Sequence, residues 1–98
     1  MQVKENKHDR YVTKLVDQLT PIYDDISTHL KLNKKKRTIA EIDVMAKKGK
    51  SIHFFEVKCS YRIVKAKKQL KKLRKIFNDE SICLYFYCGS ADKLVEII

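Results

Sequence analysis

Four charged side chains stand in a stretch that otherwise reads as two hydrophobic strands. Residues 39–60 run IAEIDVMAKKGKSIHFFEVKCS, with Glu41, Asp43, Glu56 and Lys58 set among Ile, Val, Met and Phe. An aspartate inside such a strand is disfavoured by propensity and costly to bury without a partner. If Lys48-Gly49 is a two-residue hairpin turn, Lys47 pairs with Lys50, Asp43 faces Phe54 and Glu41 faces Glu56. Side chains alternate along a strand, so Glu41, Asp43, Glu56 and Lys58 leave one face while Ile42, Val44, Phe55 and Val57 leave the other. Three carboxylates and one ammonium then converge, and like-charged acids repel unless a cation neutralises them. Oxygen donors without Cys or His favour Mg2+ or Mn2+ over zinc, with Asp43 and Glu56 as the ligands. An ion held there lowers the pKa of a bound water and polarises a phosphate, while Lys58 stabilises the anionic transition state. The chemistry expected is phosphodiester hydrolysis. The bland alternative is a solvated strand face on which the same residues do nothing.

Glu41-Ile42-Asp43, followed on the next strand by Glu56-Val57-Lys58, resembles the PD-(D/E)xK nuclease superfamily, whose motif strands form a hairpin. The EID and FEVKCS patterns are most similar to archaeal Holliday-junction resolvases and related small, often viral, nucleases, over about residues 4–88. The resemblance implies a restriction-endonuclease-like fold and an endonuclease of duplex or branched DNA that depends on Mg2+ or Mn2+. It makes Asp43 and Glu56 the metal ligands and Lys58 the catalytic lysine. It also implies an acid from the first helix, for which Asp9 matches best and Glu5 is the fallback, and a glutamine from the later helix, for which Gln69 is placed suitably. The chain departs from the pattern in two places: Ile42 replaces the proline before the first acid, and Leu73 stands where an aromatic would follow the glutamine.

The elements that must position these residues follow from periodicity. Val12, Leu15, Val16 and Leu19 fall at i, i+3, i+4, i+7, so residues 4–19 are predicted helical, ended by Thr20-Pro21. Residues 22–32 alternate and read as a strand, with Ile26, Thr28, Leu30 and Leu32 on its drier face. Asn33 to Arg37 turns into a second strand, Thr38 to Lys47, and Lys50 to Cys59 forms a third. Ala66, Leu70, Leu73 and Phe77 mark a second amphipathic helix over 65–77. The run SICLYFYC, Ser81 to Cys88, reads as a strand buried on both faces. The last residues, Leu94 to Ile98, fit a helical turn or a short strand equally. The expectation is a single α/β domain over residues 1–98, α-β-β-β-α-β with a mixed central sheet flanked by helices.

Composition sets the outer bounds. Ninety-eight residues with two glycines and one proline make one compact core and no more. Twenty-two Lys+Arg against twelve Asp+Glu leave a formal charge of +10, which suits polyanions and above all the phosphates of nucleic acid. The predicted contacts are Lys35, Lys36 and Arg37 at the first hairpin turn, and Lys65, Lys68 and Lys72 along a helix with no interleaved acids. Neither a membrane span nor an apolar signal segment is present in the sequence, and three cysteines with no CxxC fit reduced thiols, so an intracellular location is expected. A resolvase or nicking enzyme needs two sites, so a homodimer is expected, with Leu94 to Ile98 as apolar surface to cover. Two alternatives stay open: a binding module that keeps the fold without the metal, and a basic protein for an acidic partner or surface.

Overall fold

The computed structural model describes residues 6–79 and 81–98. Its elements in chain order are α1 (Lys7–Leu19), β1 (Asp25–Lys34), β2 (Arg37–Lys48), β3 (Ser51–Lys58), α2 (Ile63–Phe77), β4 (Cys83–Cys88) and β5 (Lys93–Ile97). Asn6 sets the start of α1, its side chain accepting the Asp9 N–H at 2.7 Å, so the helix begins later than periodicity alone suggested. α2 begins two residues earlier than predicted and ends at Asn78, whose left-handed backbone (φ 48°) lets its N–H return to the Arg74 carbonyl. None of the helices among the described residues is long and apolar enough to cross a membrane.

The five strands lie in the order β1-β2-β3-β4-β5, antiparallel except for β3 and β4, which run parallel and are joined by α2. A parallel pair needs a crossover, and α2 supplies it. α1 covers one face of the sheet, where Val12, Leu15 and Leu19 meet Val44, Ala46, Phe55, Val57 and Tyr87. α2 covers the other, where Ala66, Leu70 and Leu73 meet Ile42, Phe54, Leu84, Phe86 and Cys88. SICLYFYC is thus buried on both sides, as its composition requires. The C-terminal residues take the strand alternative, closing the sheet as β5 against β4. The three cysteines are free.

Three strand expectations are corrected. β1 starts at Asp25 rather than residue 22, because Leu19 accepts the N–H groups of Ile22 and Tyr23 and draws the chain into a turn first. The β2–β3 turn is Gly49-Lys50, flanked by the pair Lys48↔Ser51, rather than Lys48-Gly49. Gly49, at φ 58°, occupies the first central position, where a type II′ turn needs a positive φ at one residue only; the expected placement would have forced Lys48 left-handed as well. The pairing therefore moves by two residues, and Phe54 faces Met45 instead of Asp43. The third correction concerns faces. Ile26 packs on the α1 side and Leu30 and Leu32 on the α2 side, while Val44 and Ala46 pack on the α1 side and Ala40 and Ile42 on the α2 side. Both strands change face at facing positions, and the pivot is His29, at φ 52°. Ile42 and Val44 do not share a face, although their spacing says they should.

Candidate active site

The ladder between β2 and β3 ends at Val44↔Phe55. One step further, the same register would bring Asp43 opposite Glu56, and here the strands part. An antiparallel residue aims its N–H and C=O to the same side, so Val57 turns both groups toward the gap. Asp43 Oδ2 accepts the Val57 N–H at 2.9 Å, and His8 Nε2 lies 3.0 Å from the Val57 carbonyl. A carbonyl only accepts, so Nε2 carries the proton. Two side chains therefore replace the strand backbone that would otherwise satisfy β3, which explains how an aspartate is tolerated inside a hydrophobic strand. Across the gap His8 Nε2 is also 3.4 Å from Asp43 Oδ2.

Asp43 and Glu56 are 7% and 4% exposed, the two buried charged residues among those described. Glu56 touches Asp43 closely enough to share a hydrogen when one of them is protonated, and Lys58 Nζ sits 3.2 Å from Glu56 Oε2. Burial first and the Asp43 charge second push the Glu56 carboxyl up to about 7, with Lys58 pulling the other way. Lys58 is itself anchored: the Gly89 N–H donates to its carbonyl at 2.8 Å, extending the β3–β4 ladder past its last pair.

The raised carboxyl carries a stability consequence. Between its unfolded value near 4.5 and about 7 the folded protein holds a proton that the unfolded chain has released, so stability falls as pH rises through that window and levels off above it. Metal-free protein is expected to lose of order 1–2 kcal/mol between pH 5 and pH 8 in urea titrations. Glu56→Gln is expected to flatten that dependence, and an unchanged slope in the variant would assign it elsewhere.

The sequence-predicted residues divide into those the fold brings together and those it does not. Asp43, Glu56 and Lys58 form one cluster. Asp9 lies beside it without touching either buried acid: its carboxylate is 3.8 Å from His8 Nδ1 and 3.7 Å from His29 Nε2. Glu41, expected to converge with Asp43, is exposed and 3.9 Å from His29 Nδ1 instead, because the face change at Asp43 separates it from Glu56. Gln69 lines a cavity of about 100 Å3 with Ala40, Glu41 and Lys72. Glu5 falls outside the described residues. His8 is the α1 residue that enters the cluster. His53 stands further along β3 on the α1 side of the sheet, among Tyr23 and Tyr85, with the Tyr23 hydroxyl 2.6 Å from its Nδ1, and takes no part.

Two carboxylates and one ammonium leave a net negative charge in a buried site when both acids are ionised, and that repulsion adds to burial in raising Glu56. The donor set fits a hard divalent cation, which would neutralise it. Among the described residues no three His, Cys, Asp and Glu side chains are gathered as metal ligands, so Asp43 and Glu56 would be the side chains available to hold one. No family model and no curated protein matches the chain.

Proposed function

We propose that the protein is a metal-dependent DNA endonuclease of the PD-(D/E)xK type, hydrolysing phosphodiester bonds with Mg2+ or Mn2+. The observation that supports it most is the buried contact between Asp43 and Glu56, with Lys58 seated on the second acid. Buried like charges destabilise a fold, and a site that keeps them next to a cation and beside a gap in the sheet is arranged for something other than packing. The formal +10 charge supports a polyanionic substrate.

Asp43 and Glu56 would hold the ion, which when bound supplies a polarised phosphate and a water of lowered pKa. The remaining work belongs to the chain. Asp43 is fixed by the Val57 N–H, so its second oxygen is presented without rotamer freedom. Lys58 balances Glu56 and is placed to meet charge that builds on the phosphate. His8 braces α1 against the same strand position. Cutting both strands of a branched duplex calls for two copies, and β5 offers an outer edge with an exposed Leu94.

The test is incubation of the pure protein with linear, nicked and branched duplexes in Mg2+, Mn2+ or EDTA. Cleavage is expected with either ion and not in EDTA, and Lys58→Met is expected to slow it about 100-fold with DNA binding retained. The lack of a third gathered ligand among the described residues favours a second reading, a binding module of the same fold. Wild-type protein that binds these DNAs and never cuts them would establish that reading and end the first.

A further inference from the structure

We propose that the tip of the β1–β2 hairpin and α2 form a clamp for the phosphate backbone of duplex DNA that makes no contact with bases. This rests on the nucleic-acid half of the reading above and is independent of its catalytic half.

A groove of about 450 Å3 runs between the hairpin tip and α2, lined by Lys34, Lys35, Arg37, Thr38, Ile39 and Lys72. Its size is that of a ligand site. Four of the six residues are cations and none is an acid, so an anion is the ligand that lowers its energy. The hairpin is built at a cost to hold them there. Lys34 and Arg37 are direct cross-strand partners, and like charges in that position repel. Between them Lys35 and Lys36 both have positive φ, 50° and 65°. A two-residue turn with both central residues left-handed is the geometry that Asn-Gly adopts with little strain and that a side chain as long as lysine disfavours. Two successive strained lysines flanked by a repulsive pair are an outlier of the kind that points to a function for the tip. The strands behind the tip are anchored, since Leu30, Leu32 and Ala40 pack into the α2-side core.

The lining chemistry selects the ligand. Lysine, arginine and a threonine hydroxyl are phosphate contacts. No aromatic ring lines the groove for an unpaired base to stack on, which single-strand sites characteristically supply. Lys72 also closes a separate, smaller cavity with Ala40, Glu41 and Gln69. Lys65 and Lys68, on the same helix as Lys72, do not line the groove.

The clamp is tested with Lys35→Asn/Lys36→Gly against Lys65→Gln/Lys68→Gln, since each pair removes two positive charges. Binding of a labelled duplex and of the matching single strand is followed in EDTA by anisotropy between about 50 and 200 mM salt, together with thermal melts. The turn variant is expected to lose at least about 0.9 from the slope of log K against log salt, the share of one phosphate contact, since Lys35 lines the groove, and several-fold in affinity near 150 mM. It is also expected to melt a few degrees higher, as the turn strain is relieved. The helix variant should lose less than half as much slope. Equal losses in the two variants would mean a diffuse positive field and overturn the clamp, as would a lower melting temperature in the turn variant, tighter wild-type binding to the single strand, or no binding of DNA at all. Because EDTA removes cleavage, a protein that behaves as expected but never cuts with Mg2+ or Mn2+ sinks only the nuclease reading. A nuclease whose turn variant binds like wild type sinks only the clamp.

Discussion

Asp43→Asn is expected to abolish metal-dependent cleavage, by about 1000-fold or more, while making the metal-free protein more stable. The two effects come from the same oxygens. The asparagine carbonyl still accepts the Val57 N–H, so the edge of β3 stays satisfied. Its amide donates to Glu56 where the aspartate repelled it, which removes the second-largest influence raising that carboxyl. At pH 8 the gain is of order 1 kcal/mol, seen as a higher urea midpoint with an unchanged slope. Asp43→Ala separates charge from geometry: it also removes the acceptor, leaves a buried N–H without a partner and costs about 1–3 kcal/mol. Should Asp43→Asn cleave at a rate near wild type, the aspartate is an edge cap and nothing more, and the nuclease proposal falls with it. A fall in stability as large as that of the alanine variant would instead show that Asp43 and Glu56 do not repel each other as described.

The pairing of Asp43 with Glu56 was legible in the sequence for a reason that survives an error in the turn. Moving the hairpin register by two residues, from Lys48-Gly49 to Gly49-Lys50, keeps the total odd or even as before, so each β3 residue keeps its face, and the two acids move from offset to the step just beyond the last pair. His8 was missed, although the helix carries the signal for it. Residues 8, 12, 15 and 19 form one stripe, and the last three are the buried side of α1; a histidine one turn beyond a buried stripe is aimed at whatever that stripe covers. Asp9 stands off that stripe, toward His29, which is why the acid expected from the first helix does not reach the buried pair.

The change of face between residues 28 and 30 and between 42 and 44 was not legible. It turns on a left-handed histidine, a backbone state uncommon for any residue but Gly and one that no residue pattern announces. Alternation was read straight through it, giving one dry face from Ile26 to Leu32 where there are two half-faces on opposite sides of the sheet. Glu41 was carried to the wrong side by the same step. β5 was half legible, since KLVEI carries too few residues to separate a strand from a helical turn, and its pairing with β4 decides the matter. The two helices and the doubly buried β4 were legible because their apolar residues follow a single period without interruption.

The largest loss of stability is expected from Gly89→Ala, a change of one methyl group. Gly89 follows β4 directly and is buried under the ring of Tyr11 on α1; a Cβ at this position would fall inside that ring, against its root rather than its flexible end. The ring cannot slide away cheaply, because Tyr11 packs on the core formed by Val12, Leu15, Val57 and Tyr87. Nor can Gly89 retreat, because its N–H is tied to the Lys58 carbonyl at 2.8 Å and the next residue continues the tie, Ser90 N–H to Cys59 O at 2.9 Å. Accommodation has to come from tilting α1 off the sheet, which puts the cost at about 3 kcal/mol or more. That is a substantial share of the stability of a domain this small. Tilting α1 would also withdraw His8 from Val57 and loosen the gap that holds Asp43, so DNA cleavage should fall in protein that is still folded. Tyr11→Ala supplies the control. Alone it costs about 3 kcal/mol by leaving a cavity. Combined with Gly89→Ala it should cost little more than it does alone, because the added methyl then enters vacated space, and the coupling is read from the double-mutant cycle. Additive losses, or a Gly89→Ala protein within about 0.5 kcal/mol of wild type, would show that helix and strand do not approach so closely and that α1 is free to carry His8 away from the site.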